Sequence, residues 1–223
     1  MDAETLGYLP ATELAGLIRS REVSAAEVIE AVLARIEAME PRVNAFATLT
    51  ADAALEAARE ADRKLAAGAD VGPLQGIPVT IKDLIHTEGV PTQFGSLMRK
   101  GFLPEHDAPV VTRLKAAGAI VLGKTTTSEF GWTGLSRSPL SGITHNPWRH
   151  GYNAGASSAG AGAAAAAGFG PLHQGSDGAG SIRMPAHFCG VFGLQPTYGR
   201  VPNWPLPNTD CTSNIGPLPR TLA

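Results

Sequence analysis

Apolar residues in the first third of the chain recur at helical spacing. Val28, Val32, Ile36 and Met39, joined by Ile29 and Leu33, form one stripe, the pattern of a helix that lays one face on a core. Ser24 and Glu27 stand just before it as a capping box. Pro41 is expected to end that helix, because its ring lacks a donor and crowds the preceding turn. Residues 11–67 as a whole read as helices. Within them Ala45–Leu49 reads as a short strand, and Thr50 as the cap of a third helix, Ala51 to Ala67, stopped by Gly68. That helix is rich in Ala, Glu and Arg and poor in large apolar side chains, which places it on the surface.

The pattern changes at Pro73, where short aliphatic runs begin to alternate with turns marked by Gly and Pro. Ile77–Ile81 reads as a strand. Pro109–Ala117 reads as a helix, with Pro109 in its first turn and Gly118 beyond its end. Ala119–Leu122 reads as a buried strand, and Ser157–Gly168 as a helix whose alanines let its neighbours approach closely. Helices alternating with buried strands predict an α/β protein, its sheet covered by helices on both faces. The predicted organisation is an N-terminal helical segment over residues 1–70 and a core over residues 71–223, without internal repeats.

Composition narrows the class. Hydrophobic residues make up 43% of the chain and charged residues 17%, as in an ordered globular protein. A net charge of −2 gives no reason to expect nucleic acid or an anionic membrane as a partner. The longest apolar run, Ala161–Ala167, is too short to cross a bilayer. The opening Met-Asp-Ala-Glu lacks the basic-then-apolar order of a signal peptide. Cys189 and Cys211 are isolated, and are expected to be reduced thiols in the cytoplasm. The six histidines do not fall into His-Glu-x-x-His, so neither a metal site nor a cofactor is expected.

Candidate chemistry is concentrated in Asn153–Arg183. Two clusters of small residues there carry serines, Ser157/Ser158 and Ser176/Ser181. Such clusters serve as tight turns and caps. They also suit a nucleophile whose oxyanion is met by neighbouring N–H groups. Upstream, Lys82 closes the apolar run Gly76-Ile-Pro-Val-Thr-Ile-Lys82-Asp83. A lysine there either reaches solvent or pairs with Asp83, or it is a buried amine of depressed pKa, able to act as a base. Gly118-Ala-Ile-Val-Leu-Gly123-Lys124-Thr125 matches the phosphate-loop pattern letter for letter. Its context is wrong, because a helix precedes it and its middle is a strand. A Gly-x-Ser-x-Gly elbow is absent around Ser157 and Ser181. His173 and His187 would be the candidate bases of a Ser-His-Asp site, and otherwise read as ordinary loop or core histidines.

Several ordered blocks together resemble the amidase signature family: Gly76–Asp83, Asn146-Pro147-Trp148, Ala154–Gly160, Gly175–Ala186 and Phe188–Arg200. The resemblance covers about residues 70–220 and implies the amidase signature fold, a mixed β-sheet with helices on both faces. It implies a Ser-Ser-Lys triad, with Ser181 as nucleophile, Ser157 as a bridging serine on a cis peptide and Lys82 as base. A neutral amine would accept a proton relayed from the attacking serine, and the same chain would return it to the leaving amine. The N–H groups of Gly178, Ala179, Gly180 and Ser181 are the expected oxyanion hole. Asp177 and Arg183 are expected to hold the loop, and Ser158 and Ser176 to support the reacting groups.

The chain departs from the family in three respects. Ala154, Ala156 and Ala159 stand in a serine-pair loop that usually carries more glycine. Asp177-Gly-Ala-Gly-Ser181 replaces Asp-Thr-Gly-Gly-Ser, so that Ala179 narrows the dihedrals of one oxyanion donor. Members generally continue for about as long again beyond Ala223. The chain is therefore expected to be the N-terminal half of a longer member with an incomplete sheet, and on its own to be homo-oligomeric, aggregation-prone or loosely packed, and poorly active even with Lys82, Ser157 and Ser181 present. The implied activity is hydrolysis of a small carboxylic amide. One alternative is the glutaminase subunit of a tRNA-dependent amidotransferase, which shares the triad. Those subunits usually carry Gln where Met184 stands, and Phe130–Ile143 looks unlike theirs, which favours a stand-alone amidase. Another alternative is a non-catalytic remnant that binds a partner.

Overall fold

The computed structural model describes residues 1–205 and 212–222. In chain order its elements are α1 (Ala3–Tyr8), α2 (Ala11–Ser20), α3 (Ala25–Val43), β1 (Phe46–Leu49), α4 (Ala51–Ala66), β2 (Pro78–Lys82), α5 (Pro109–Ala116), β3 (Ile120–Thr125), β4 (Arg137–Ser138), β5 (Gly142–Ile143), β6 (His145–Asn146), β7 (Arg149–Asn153), α6 (Ala159–Ala167), β8 (Leu172–Asp177), α7 (Arg183–Cys189) and β9 (Asn214–Pro217). One mixed sheet has the order β1-β3-β2-β8-β9. Its centre, β3-β2-β8, is parallel, and β1 and β9 run antiparallel at the edges. The pairs β4–β5 and β6–β7 are separate small hairpins.

Helices cover both faces, as the alternating pattern predicts. On one side Ile29, Val32 and Ile36 of α3 and the alanines of α4 and α6 pack with Ile120, Leu122 and Phe169. On the other, Val111 of α5 meets Val79, Ile81 and Ile215. The residues around Leu14, Ile18, Val28 and Ile77 close the N-terminal end. Among the described residues, no helix is long and apolar enough to cross a membrane.

Two local expectations fail for physical reasons. Pro41 lies inside α3, which runs on to Val43. In the last turn a proline costs little further pairing. The helix ends instead at Asn44 (φ 54), whose N–H returns to the Glu40 carbonyl at 2.8 Å, while the Glu40 carboxylate takes the N–H groups of Ala45 and Phe46. Thr50 does precede α4, but its hydroxyl makes no cap bond and donates to the Val121 carbonyl of the sheet. Strand β3 also extends beyond Leu122 through Gly123-Lys124-Thr125, so the lysine of the phosphate-loop look-alike is part of the strand.

Helix α6 consists only of alanine and glycine, and each of its residues is buried. Small side chains let it sit directly on the sheet. A Cβ on Gly160 would land in the backbone of Thr126 and Ala45. Gly160→Ala should therefore cost about 1–3 kcal/mol by overpacking. Gly16, inside α2, has open space around it, and Gly16→Ala should instead stabilise by about 0.5–1 kcal/mol. Urea unfolding of the two variants reads the opposite signs directly.

Candidate active site

Every residue of β2 is buried, and Lys82 is its last. Its Nζ lies 2.7 Å from Ser157 Oγ, 2.8 Å from Ser158 Oγ, 3.0 Å from Ser176 Oγ and 3.3 Å from the Ser176 carbonyl. Burial lowers the Lys82 pKa to about 7, and the charge of Asp177 pulls the other way. The carboxylate of Asp83, expected to be the opposing charge, instead accepts the N–H groups of Gln93 and Gly95. Consecutive strand residues point to opposite faces, so Asp83 leaves Lys82 to the serines.

The hydroxyl protons decide what Lys82 can be. Ser158 donates its own to the Ser176 carbonyl at 3.0 Å, so towards Lys82 it is an acceptor. Ser157 and Ser176 donate to no other group among the described residues. An ammonium can donate to these groups and to the Ser176 carbonyl; a neutral amine, with two N–H donors and one lone pair, is accommodated as well, because Ser157 is free to donate to it.

Ser157 and Ser158 stand in the turn before α6, between Gly155 and Ala159. Gly155 has φ 117, and a side chain there would run into Pro185 of α7. One glycine therefore suffices where the resemblance implies several, because the alanines around it are simply buried. The peptides flanking Ser157 are trans. Among the described residues the cis bond is Trp204–Pro205, an X-Pro bond, for which cis costs far less than at a non-proline residue.

Strand β8 delivers Ser176 and Asp177, and the loop after it carries Ser181. Asp177 has lost its water, which on its own would raise its pKa. The guanidinium of Arg183, at 2.9 and 3.0 Å, and the N–H groups of Gly180, Ile182 and Arg183 outweigh that loss and hold it at about 2. Asp177 thus wraps the Gly178–Arg183 loop around one carboxylate. This engages the Gly180 N–H, at 2.6 Å from Asp177 Oδ1, and takes it out of the expected oxyanion set. The N–H groups of Gly178, Ala179 and Ser181 make no hydrogen bond among the described residues. The left-handed position in the loop is Gly180 (φ 110), not Ala179, so alanine is accommodated.

Ser181 is 9% exposed. No hydrogen bond joins it to Ser157 among the described residues; the structure brings Lys82 to Ser157, Ser158 and Ser176 and leaves the Ser181 hydroxyl unengaged. His173 is buried, bonded to Thr80 Oγ1 and the Gly170 carbonyl, and burial lowers its pKa to about 4. His187 is exposed on α7. Neither bonds Ser181. Asn146 and Trp148 donate to the carbonyls of Phe188 and Cys189, tying the β6–β7 hairpin to the end of α7. Cys189 is a buried free thiol; Cys211 lies outside the described residues. Sequence reasoning missed a second fully buried lysine, Lys124, because its setting resembled a phosphate loop. It also missed Gly131, where a Cβ would lie 3.5 Å from Ser157 Oγ.

The amidase family model matches residues 27–223. An acylamidase of Rhodococcus erythropolis is 44% identical over 100% of this chain and 47% of its own length. A glutamyl-tRNA(Gln) amidotransferase component of Carboxydothermus hydrogenoformans is 44% identical over 97% of this chain and 45% of its own. The crystal structure of a bacterial aryl acylamidase of the amidase signature enzymes superposes with a TM-score of 0.90 at 32% identity, over 96% of this chain and 45% of that one. The chain therefore spans about half the length of the relatives it matches.

Proposed function

The chain belongs to the amidase signature family, and we propose that it carries the acylating site of an amidase that hydrolyses small linear carboxylic amides. The observation behind this reading is the Lys82 Nζ–Ser157 Oγ contact of 2.7 Å inside a buried hydroxyl network. In the proposed reaction the neutral Lys82 takes the Ser157 proton as Ser157 takes that of Ser181. Ser181 Oγ then bonds to the amide carbon, and the oxyanion is met by N–H groups of Gly178, Ala179 and Ser181. The proton returns through Ser157 to the amide nitrogen, the C–N bond breaks, and ammonia or an amine leaves. Water, deprotonated along the same path, releases the acid and restores Ser181. A shift of Ser181 towards Ser157 on substrate binding would complete the relay, since hydrogen bonds of an apo site tighten at that stage. A reducing, cytoplasmic setting belongs to this reading.

The test combines turnover of simple acyl amides, followed by amine release, with a fluorophosphonate probe and mass mapping of the adduct. The expected result is a single adduct on Ser181 and amine release that needs no partner, slow in these 223 residues alone and faster in a chain of the relatives' full length. Glutaminase activity that appears only with charged tRNA and a partner protein would support the amidotransferase alternative. A folded chain inert to the probe would support the remnant.

A further inference from the structure

Lys124 is fully buried and has no part in the proposed reaction. It pairs in register with Ile81, the neighbour of Lys82, so the two lysines project to opposite faces of the sheet. Lys124 Nζ donates to the Ile85 carbonyl, to Thr92 Oγ1 at 2.7 Å and to Thr87 Oγ1 at 3.1 Å. Thr87 sends its hydroxyl proton to the Ile85 carbonyl and Thr92 sends its own to the Val90 carbonyl. Both hydroxyls can then only accept from the lysine. Three acceptors call for three N–H donors, which an ammonium has and a neutral amine lacks. Lys82 faces hydroxyls that are free to donate to it, whereas Lys124 faces only acceptors. Burial lowers the Lys124 pKa, and Asp83 supplies the nearby opposite charge, without direct contact, that works against that loss.

These bonds fold residues 83–95 into a closed loop at the end of β2. Lys124 gathers Ile85, Thr87 and Thr92. Asp83 gathers the N–H groups of Gln93 and Gly95 through its carboxylate and that of Phe94 through its carbonyl. Phe94 is held at φ 59, an unfavourable region for a bulky residue that persists only where the surroundings impose it. Its carbonyl accepts the Phe130 N–H at 2.8 Å, and the two rings lie 6.0 Å apart. Phe130 (φ 50) and Gly131 (φ 73) then turn the backbone so that a Cβ on Gly131 would lie 3.5 Å from Ser157 Oγ.

We propose that Lys124 is a positioning residue of the site: its three hydrogen bonds hold the 83–95 loop, and through Phe94 the Phe130–Gly131 backbone, against Ser157. The role assigned to Ser157 rests on the reading above; the path from Lys124 to Gly131 does not.

The test separates positioning from charge neutralisation. Lys124→Met leaves the buried Asp83 without its counter-charge and should destabilise the fold. Lys124→Met/Asp83→Asn removes both charges and should recover most of the lost stability, since a buried pair replaced as a unit is often neutral. In the double variant, hydrogen exchange of residues 83–95 and 126–134 should still be at least about 10-fold faster than in Asp83→Asn alone, which shares the altered Asp83 side chain, with α3 unchanged. Fluorophosphonate labelling of Ser181 should fall by roughly 10–100-fold, the scale of a 1 Å misplacement. Thr92→Val, which removes an acceptor and no charge, should raise exchange in the same two segments, and it decides the matter if the double variant does not fold. A double variant with the exchange and labelling of Asp83→Asn would overturn the proposal, leaving Lys124 a mere counter-ion, and so would unchanged exchange in Thr92→Val. A wild-type chain that the probe does not label would sink the functional reading, while the exchange measurements would still decide the position of Gly131.

Discussion

Ser181→Ala should reduce amide hydrolysis to background, a loss on the order of 10⁴–10⁶ in kcat, the scale seen when a catalytic serine is deleted. The other hydroxyls of the cluster do not replace it. Ser157, Ser158 and Ser176 are all bound to Lys82, and a hydroxyl held in that network is a poor substitute for one that is free to attack. The fold should not notice the change. The Ser181 hydroxyl has no partner to orphan among the described residues, so unfolding stability should stay within about 0.5 kcal/mol of wild type. Loss of activity with a preserved melt is thus the expected signature, together with disappearance of the probe adduct. Ser157→Ala should differ in degree. It removes the proposed relay and keeps the proposed nucleophile, so a fall of roughly 10²–10⁴ is expected, with slow acylation still at Ser181. An adduct found on Ser157 instead would reverse the two assignments.

Lys82 carries the other large effect, and it shows in the pH profile. With its pKa near 7, acylation should rise about tenfold per pH unit below that value and level off above it, as the amine becomes neutral. Lys82→Arg should be nearly inactive at every accessible pH, because a guanidinium keeps its proton. Lys82→Met should be equally inactive and well folded. Stability gives an independent reading. The unfolded chain holds the Lys82 proton up to about 10.5, and the folded chain releases it near 7. Between those values the unfolded state binds more protons, so stability rises with pH across the window. The cost of burying the ammonium is fully present below 7 and is relieved towards 10.5. Lys82→Met should lose its share of that rise. A Lys82→Arg protein with ordinary turnover, or a flat profile from pH 5 to 9, would remove Lys82 from the role of base.

Strands β1, β2 and β3 and the helices α3 and α6 were legible because period and length carried them: the α3 stripe, the run into Lys82 and the alanine segment of α6 are each long or pure enough to read alone. Strands β8 and β9 and helix α7 were not, because the Leu-His-Gln-Gly-Ser-Asp of β8 and the short Asn-Ile-Gly-Pro of β9 lack the aliphatic run by which buried strands are recognised. The extension of β3 through Gly123-Lys124-Thr125 was not, because a buried cation inside a strand contradicts the apolar pattern by which strands are recognised. The pairing of Lys82 with the serines came from the order of the motif blocks, since positions 75 residues apart carry no local signal of contact. Finer points depended on side-chain direction. Asp83 lies next to Lys82 in sequence, yet Asp177 supplies the opposing charge, and the alternation of a strand explains why. The loss of the Gly180 N–H to Asp177 could be seen only once the loop had been built. The left-handed residues Phe94 and Phe130 had no sequence signature, because their conformation is imposed by bonds from distant residues.

The mixed sheet also sets the timing of folding. Thr80 and His173, neighbours across its centre, are 93 residues apart, and such non-local pairing folds slowly, on the scale of milliseconds to seconds. On a ribosome adding about 5–20 residues per second, Lys82 emerges roughly 4–15 seconds before Ser157. Through that interval the amine is in water and protonated, and the apolar strand before it has no partner in β8. The nascent chain thus exposes a sticky strand ending in a cation, which keeps it hydrated while it waits.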